Sequence, residues 1–219
     1  MFEKQGFDIV ESVLSDDECA GVEKELQNIG LAGAGTRNLL AENWCARLAA
    51  DIRRHPRIAR LVPGAHVAVQ CTLFEKSRTR NWLVSLHQDL SIPVAARVDH
   101  PTLTGWSEKQ DATYVQPPLG VLENLVAVRV HIDPCGPDDG PLKVVPGSHV
   151  LGLVSAEAGL AIRDDRTEVT CPAPRGAALV MRPLLLHASS KATGHSCRRV
   201  LHFLYGPREL PHGLRWQAI

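Results

Sequence analysis

The chain has 219 residues, which is enough for one domain with a complete hydrophobic core. Hydrophobic residues make up 44% and charged residues 22% of the chain, as is ordinary for a globular protein. Because 24 Lys and Arg balance 24 Asp and Glu, the formal net charge is zero, which argues against a nucleic-acid or acidic-membrane partner.

The start of the chain shows no targeting segment. Met-Phe-Glu-Lys-Gln-Gly lacks the basic stretch and apolar run of a signal peptide, and no apolar run approaches the roughly 20 residues that span a bilayer. The six cysteines are scattered singly, which favours reduced thiols over a disulfide framework. We therefore expect a soluble, cytoplasmic protein with no membrane partner; the sequence does not indicate an oligomeric state.

The first 64 residues predict a short strand followed by a helical layer. Residues 6–11 read as the strand. Ser15 and Glu18 then form a capping box, and apolar residues continue from it at helical spacing until Gly30. A second helix is predicted over residues 42–53 and is ended by Pro56. We expect these helices to support the rest of the molecule.

From residue 65 the pattern changes to short segments rich in β-forming residues, separated by clusters of Pro, Gly, Asp and Ser. This pattern predicts a mainly β (α+β) fold, in which an antiparallel double-stranded β-helix, the cupin-like jelly roll, occupies residues 65–207 of a single domain spanning 1–219. A long stretch, 90–122, reads as an irregular loop and is interpreted as a lid. The predicted strands lie at residues 66–74, 84–89, 125–133, 142–145, 168–171, 176–181 and 199–205.

One strand and one distant residue suggest a metal site. His87 and Asp89 flank Gln88, and alternate residues of a strand point to the same face. His187 ends an apolar run about a hundred residues later. Two imidazoles and one carboxylate are the ligands of a mononuclear non-haem iron(II) site, with positions left open for oxygen and an organic co-substrate. Arg198 could hold the carboxylate of a 2-oxo acid in a two-pronged pair.

Each part of this pattern also has a simpler interpretation. A single His-X-Asp arises by chance in many proteins, and His187 could be a hydrogen-bonded core histidine. Arg198 and its neighbour Arg199 could lie on an exposed strand. The joint arrangement is much less common than its parts.

Three stretches of the chain together match a family pattern. The first contains Leu86-His-Gln-Asp-Leu90, and the second runs from Asp133 through Gly140-Pro-Leu-Lys-Val-Val-Pro-Gly-Ser-His149. The third is His187-Ala-Ser189, with Arg198 eleven residues after His187. On these stretches the chain resembles the phytanoyl-CoA dioxygenase family of iron(II)/2-oxoglutarate-dependent oxygenases, from about Phe7 to Tyr205.

The resemblance implies roles for individual residues. His87, Asp89 and His187 are the implied iron ligands; Arg198 and Ser189 are the implied anchors of 2-oxoglutarate. Arg129 lies eleven residues before Gly140, where family members typically have Trp, so it departs from the pattern and is a candidate contact to the co-substrate or to an anionic group of the substrate. The remaining candidates are Gln70 and Thr72 for the co-substrate, and Trp82 and Trp106 for the substrate pocket wall.

The resemblance also implies an activity. We expect an Fe(II)- and 2-oxoglutarate-dependent dioxygenase that hydroxylates a C–H bond of a small organic molecule, with O2 as co-substrate, release of succinate and CO2, and ascorbate as a candidate reductant. Halogenating relatives lack the carboxylate ligand, so Asp89 favours oxygen insertion. The alternative is a non-catalytic or differently metallated cupin-like ligand-binding module, which needs no carboxylate anchor such as Arg198.

Overall fold

The computed structural model describes residues 1–29, 35–194 and 197–218. Antiparallel β-structure dominates this part of the chain. The helices found in these residues are α1 (Phe2–Gln5), α2 (Asp16–Gln27), α3 (Asn43–Arg54), α4 (Leu119–Glu123) and α5 (Ala156–Asp165), supplemented by short 3-10 turns.

The strands form three antiparallel sheets, with orders β1-β11-β8-β13-β3-β2, β10-β9-β12-β4 and β5-β7-β6. The strands are β1 (Phe7–Val10), β2 (Gly35–Thr36), β3 (Val67–Lys76), β4 (Val84–His87), β5 (Ile92–Val94), β6 (Thr104–Lys109), β7 (Ala112–Gln116), β8 (Val126–His131), β9 (Leu142–Val144), β10 (Val169–Cys171), β11 (Ala178–Met181), β12 (His187–Ser189) and β13 (Arg198–Gly206).

The six-stranded sheet is buried on both faces. Along β8, Val126, Val128 and Val130 pack into one hydrophobic core with the apolar residues of α2 and α3. Ala127, on the opposite face, packs into a second core with Leu142 and its neighbours on the four-stranded sheet. Alternate residues of one strand therefore pack into two different layers. The prediction of a jelly roll supported by N-terminal helices is confirmed.

The start of α2 confirms the predicted capping box. The Glu18 backbone N–H donates to Ser15 Oγ at 3.2 Å, and the Ser15 N–H donates to the Glu18 carboxylate at 2.8 Å. These bonds satisfy donors that the first helical turn leaves free. The predicted end of this helix at Gly30 lies outside the described residues, and α2 itself ends at Gln27.

Residues 90–122 do not form the irregular loop that the sequence predicted. They contain β5, β6, β7 and α4, and the strands form the three-stranded sheet. The β6–β7 hairpin closes through Gln110 and Asp111, whose φ angles are 50° and 60°. This two-residue turn has left-handed backbone at both positions without a glycine, so the sequence lacked the usual hairpin signal.

Candidate active site

His87, Asp89 and His187 converge although a hundred residues separate the two histidines. His87 at the end of β4 pairs directly with His187 at the start of β12. The ligand atoms of the three side chains lie within 4.8 Å of one another. Nε2 of His87 is 3.6 Å from Asp89 Oδ1, and Nε2 of His187 is 3.7 Å from Oδ2. The predicted triad is therefore assembled by one cross-strand pair and one strand-end residue.

Backbone carbonyl groups orient both imidazoles. His87 Nδ1 bonds the Ser85 carbonyl and His187 Nδ1 bonds the Leu185 carbonyl, each at 2.8 Å. Because a carbonyl can only accept, both Nδ1 atoms carry a proton, and both Nε2 atoms lie on the Asp89 side of the rings. This is the arrangement in which an outer hydrogen bond fixes the tautomer of a metal-ligating histidine.

The electrostatics of the triad favour a neutral imidazole beside an ionised carboxylate. Burial lowers the pKa of His187 to about 4, so this ring is neutral at pH 7. Burial alone would raise the pKa of Asp89, but the neighbouring His187 and His87 hold it well below the usual value of a carboxyl group. Burial also acts to lower the pKa of His87, and the Asp89 carboxylate outweighs it and raises that pKa.

Gln88 holds the segment between His87 and Asp89 in position from the opposite side. Its Nε2 donates to the carbonyls of Gly152 at 2.8 Å and Leu184 at 2.7 Å. Its Oε1 accepts the backbone N–H of Val154 at 2.9 Å. The buried amide thus ties the metal-binding segment to two other segments. Sequence analysis had used Gln88 only as the spacer between two ligands.

The triad opens into a cavity of about 440 Å³, within the range of about 300–1,000 Å³ typical of small-molecule sites. Alternate residues of β3 line the floor: Gln70, Thr72, Phe74 and Lys76. Strands of all three sheets contribute to the wall. The cavity therefore lies where the jelly roll and the three-stranded sheet meet.

A cluster of buried polar groups lies at one end of this cavity. Arg198 and Lys76 are direct cross-strand partners, only 3% and 1% exposed. Arg198 Nη1 donates to the Gly140 carbonyl at 2.8 Å, and Lys76 Nζ donates to Ser189 Oγ at 3.0 Å. Among the residues that the structure describes, the buried Nε of Arg198 has no hydrogen-bond partner. A buried guanidinium with a spare donor is suited to a carboxylate ligand.

Arg129 also lies in the cavity, on β8. Its Nη1 is 2.8 Å from Nδ1 of His202, its cross-strand partner. Because a guanidinium only donates, His202 accepts with Nδ1 and is neutral. Burial and then Arg129 lower the pKa of His202 to about 3.

The remaining candidates divide into two groups. Gln70, Thr72 and Trp82 line the cavity, and Gln70 Nε2 donates to Thr72 Oγ1 at 3.0 Å. Trp106 does not lie among the cavity-lining residues: it packs against the second core, and the Arg97 guanidinium lies 5.4 Å from its ring centre. The structure thus places Trp106 against the second core and not in the lining of this cavity.

Three cationic residues of the lining were not predicted from the sequence: Lys76, Arg37 and Lys109. Lys76 follows the predicted β3 pattern by two residues, so its side could have been inferred from strand alternation. Nothing local distinguishes Arg37 or Lys109, which reach the cavity from the N-terminal region and from the end of β6.

The model of the phytanoyl-CoA dioxygenase (PhyH) family matches residues 2–200. The chain belongs to this family. It is accordingly a non-haem iron, 2-oxoglutarate-dependent dioxygenase, as the sequence resemblance predicted. A search of curated proteins finds no match.

Solved structures of low sequence identity share the fold. HygX from Streptomyces hygroscopicus, with nickel and 2-oxoglutarate bound, has a TM-score of 0.67 and 18% identity over 94% of this chain and 84% of its own. AviO1 from Streptomyces viridochromogenes Tue57 has a TM-score of 0.64 and 23% identity over 96% and 93%. EctD from S. alaskensis with bound Fe has a TM-score of 0.69 and 19% identity over 94% and 74%.

The residues present fit the cofactors of the family, Fe(II) and 2-oxoglutarate. Two oriented Nε2 atoms and one carboxylate can bind iron on one face. Arg198, whose buried Nε has no hydrogen-bond partner among the described residues, lines the same cavity. Within the described residues, none of the helices combines the length and apolarity needed to cross a bilayer.

Proposed function

We propose that the protein hydroxylates a C–H bond of a small organic molecule, consuming O2 and 2-oxoglutarate and releasing succinate and CO2. The observation that carries this proposal is the triad of His87, Asp89 and His187, whose ligand atoms lie within 4.8 Å and open into a cavity of about 440 Å³. Asp89 retains the carboxylate ligand that halogenating relatives lack, which supports oxygen insertion.

The chain's own residues would set the geometry of the reaction. Iron together with 2-oxoglutarate supplies the oxidative chemistry when bound. His87 and His187 direct their Nε2 atoms toward one point because their Nδ1–H groups donate to backbone carbonyl oxygens. Gln88 restrains the segment between His87 and Asp89. The three-stranded sheet, which contributes Lys109, Tyr114 and Gln116 to the lining, would serve as the lid that keeps water out.

Arg198 and Ser189 are the proposed anchors of the distal carboxylate of 2-oxoglutarate. The spare Nε of Arg198 and the proximity of Lys76 Nζ to Ser189 Oγ support this role. Arg129, Gln70 and Thr72 are further candidate contacts along the cavity floor. Trp82 is the proposed wall for the substrate.

The test is succinate release from 2-oxoglutarate with Fe(II), O2 and ascorbate, with Arg198→Gln as the variant. We expect the affinity for 2-oxoglutarate, titrated with Ni(II) under anaerobic conditions, to fall at least about tenfold in Arg198→Gln. Arg199→Gln is the matched control, because Arg199 bonds Asp133 and Glu23 on the other face of the same strand. An Arg198→Gln protein that binds 2-oxoglutarate as tightly as the unsubstituted protein would favour the non-catalytic binding module.

The proposal includes a single domain over residues 1–219 in the cytoplasm. Its six cysteines are free thiols, of which five are buried. Unpaired cysteines are typical of reducing compartments. The proposed partners are a small-molecule substrate and O2.

A further inference from the structure

The lining of the cavity carries an excess of positive charge. Among the described residues, lysine and arginine occur at five positions of the lining, and the one carboxylate there is Asp89. Iron would add two positive charges and 2-oxoglutarate would bring two negative ones, so the cofactors leave an excess of four. An unbalanced group of charges in a desolvated site is costly, and an anionic ligand relieves it. The five cationic residues are Arg37, Lys76, Lys109, Arg129 and Arg198.

Arg37 and Lys109 are less buried than Lys76 and than Arg198, the proposed 2-oxoglutarate anchor. Arg198 and Lys76 are almost fully buried at the β3–β13 pairing, whereas Arg37 and Lys109 are half-buried. Hydrogen bonds tie their two segments together: the Arg37 backbone N–H donates to Gln110 Oε1 at 2.8 Å. The side chain of Asn38 donates to the Gln110 carbonyl at 3.1 Å. The two cationic residues are thus held at one place by the fold.

Neither cation of this pair has an ion-pair partner in the part of the chain that the structure describes. Across residues 1–29, 35–194 and 197–218, no carboxylate lies within ion-pair distance of the Arg37 guanidinium or the Lys109 ammonium. The Lys109 ammonium lies 4.9 Å from the centre of the Tyr114 ring, which also lines the cavity. Burial and then Arg37 lower the pKa of Lys109, whereas Asp89 acts to raise it, so the pair and Asp89 are within electrostatic range.

We propose that Arg37 and Lys109 form an anion subsite that binds a carboxylate or phosphate group of the substrate, on the Asp89 side of the cavity. This inference rests on the proposed function in one respect: it takes the bound anion to be the substrate of that reaction. It defines the substrate class as an organic anion whose charged end lies at this pair and whose reacting C–H bond faces the metal triad. Two cations from separate segments match the several oxygens of such a group.

The test uses benzyl phosphate, phenylacetate and neutral benzyl alcohol, because Trp82, Phe74 and Tyr114 give the cavity aromatic walls. Each is titrated calorimetrically, at low ionic strength to limit screening, into the protein with and without Ni(II) and 2-oxoglutarate. We expect at least one anion to bind at least about tenfold more tightly than benzyl alcohol, and Arg37→Gln and Lys109→Gln each to weaken it about tenfold. The stronger binder of the two anions identifies the charged group.

Arg97→Gln is the matched control, since Arg97 is exposed and stacks on Trp106 away from the cavity lining. It should leave the binding of all three probes unchanged. The proposal is overturned if neither anion binds more tightly than benzyl alcohol. It is also overturned if the Arg37→Gln and Lys109→Gln proteins bind the anions as tightly as the unsubstituted protein does. It is also overturned if these variants lose 2-oxoglutarate affinity in parallel, because the pair would then be part of the co-substrate site.

Failure of the proposed function gives a different result. In that case 2-oxoglutarate with Ni(II) does not bind the unsubstituted protein, while an anion still binds and still depends on Arg37 and Lys109. The anion subsite would then stand without the oxygenase reaction.

Discussion

Replacing Gln88 by Met should destabilise the protein and weaken metal binding together. Met has nearly the length of Gln but cannot make the three hydrogen bonds of the buried amide with Gly152, Leu184 and Val154. At about 1 kcal/mol for each bond, the free energy of unfolding should fall by about 3 kcal/mol. Because Gln88 lies between two metal ligands, the affinity for Ni(II) should fall at least about tenfold.

Urea denaturation measures the first effect and calorimetric titration of Ni(II) measures the second. Gln88→Glu sharpens the test: its carboxylate would face the carbonyl oxygens of Gly152 and Leu184 without a donor, so the loss should exceed that of Gln88→Met. Gln27→Met, at the exposed end of α2, is the matched control and should change neither quantity. The reasoning is refuted if the free energy of unfolding of Gln88→Met lies within about 0.5 kcal/mol of that of the unsubstituted protein. It is also refuted if Gln88→Glu is as stable as the unsubstituted protein.

Two further predictions concern the cationic end of the cavity. Burial and then Arg198 lower the pKa of Lys76 to about 8, so between about pH 8 and 10.5 the unfolded chain binds the extra proton and stability rises with pH. Urea denaturation should show this gain, about 2 to 3 kcal/mol, in the unsubstituted protein and not in Lys76→Met; equal pH dependence of the two would contradict it. Gly140 has φ 63°, and an added Cβ would lie 2.5 Å from the Ser190 carbonyl oxygen, so Gly140→Ala should lose at least about 1 kcal/mol in thermal denaturation. It should also bind 2-oxoglutarate more weakly, since the Gly140 carbonyl accepts from Arg198; unchanged affinity would argue against that contact.

Strand periodicity predicted that His87 and Asp89 lie on one side and Gln88 on the other. His87 and Asp89 share a side because they are two residues apart at a strand end, and Gln88 points to the other side into its own hydrogen bonds. The capping box of Ser15 and Glu18 was equally readable, since both partners lie within one helical turn. In each case the interacting groups are close in sequence.

The stretch 90–122 shows where local signals fail. Its three strands are short, and the hairpin turn through Gln110 and Asp111 carries no glycine. Trp106 resembled a pocket residue only while the segment was taken as a loop. Once β6 pairs with β7, the side that Trp106 faces is decided by the sheet, and that side is the core.

The sequence by itself determined the candidate ligand set, the jelly-roll class and the family of this protein. Only the tertiary structure decided which distant groups meet: His187 opposite His87, Lys76 opposite Arg198, and Arg37 beside the β6–β7 turn. The physical reason is that alternation along a strand is fixed by local backbone geometry, whereas register between strands depends on the packing of the whole sheet. The charge of the cavity, and with it the proposed class of substrate, follows from that register.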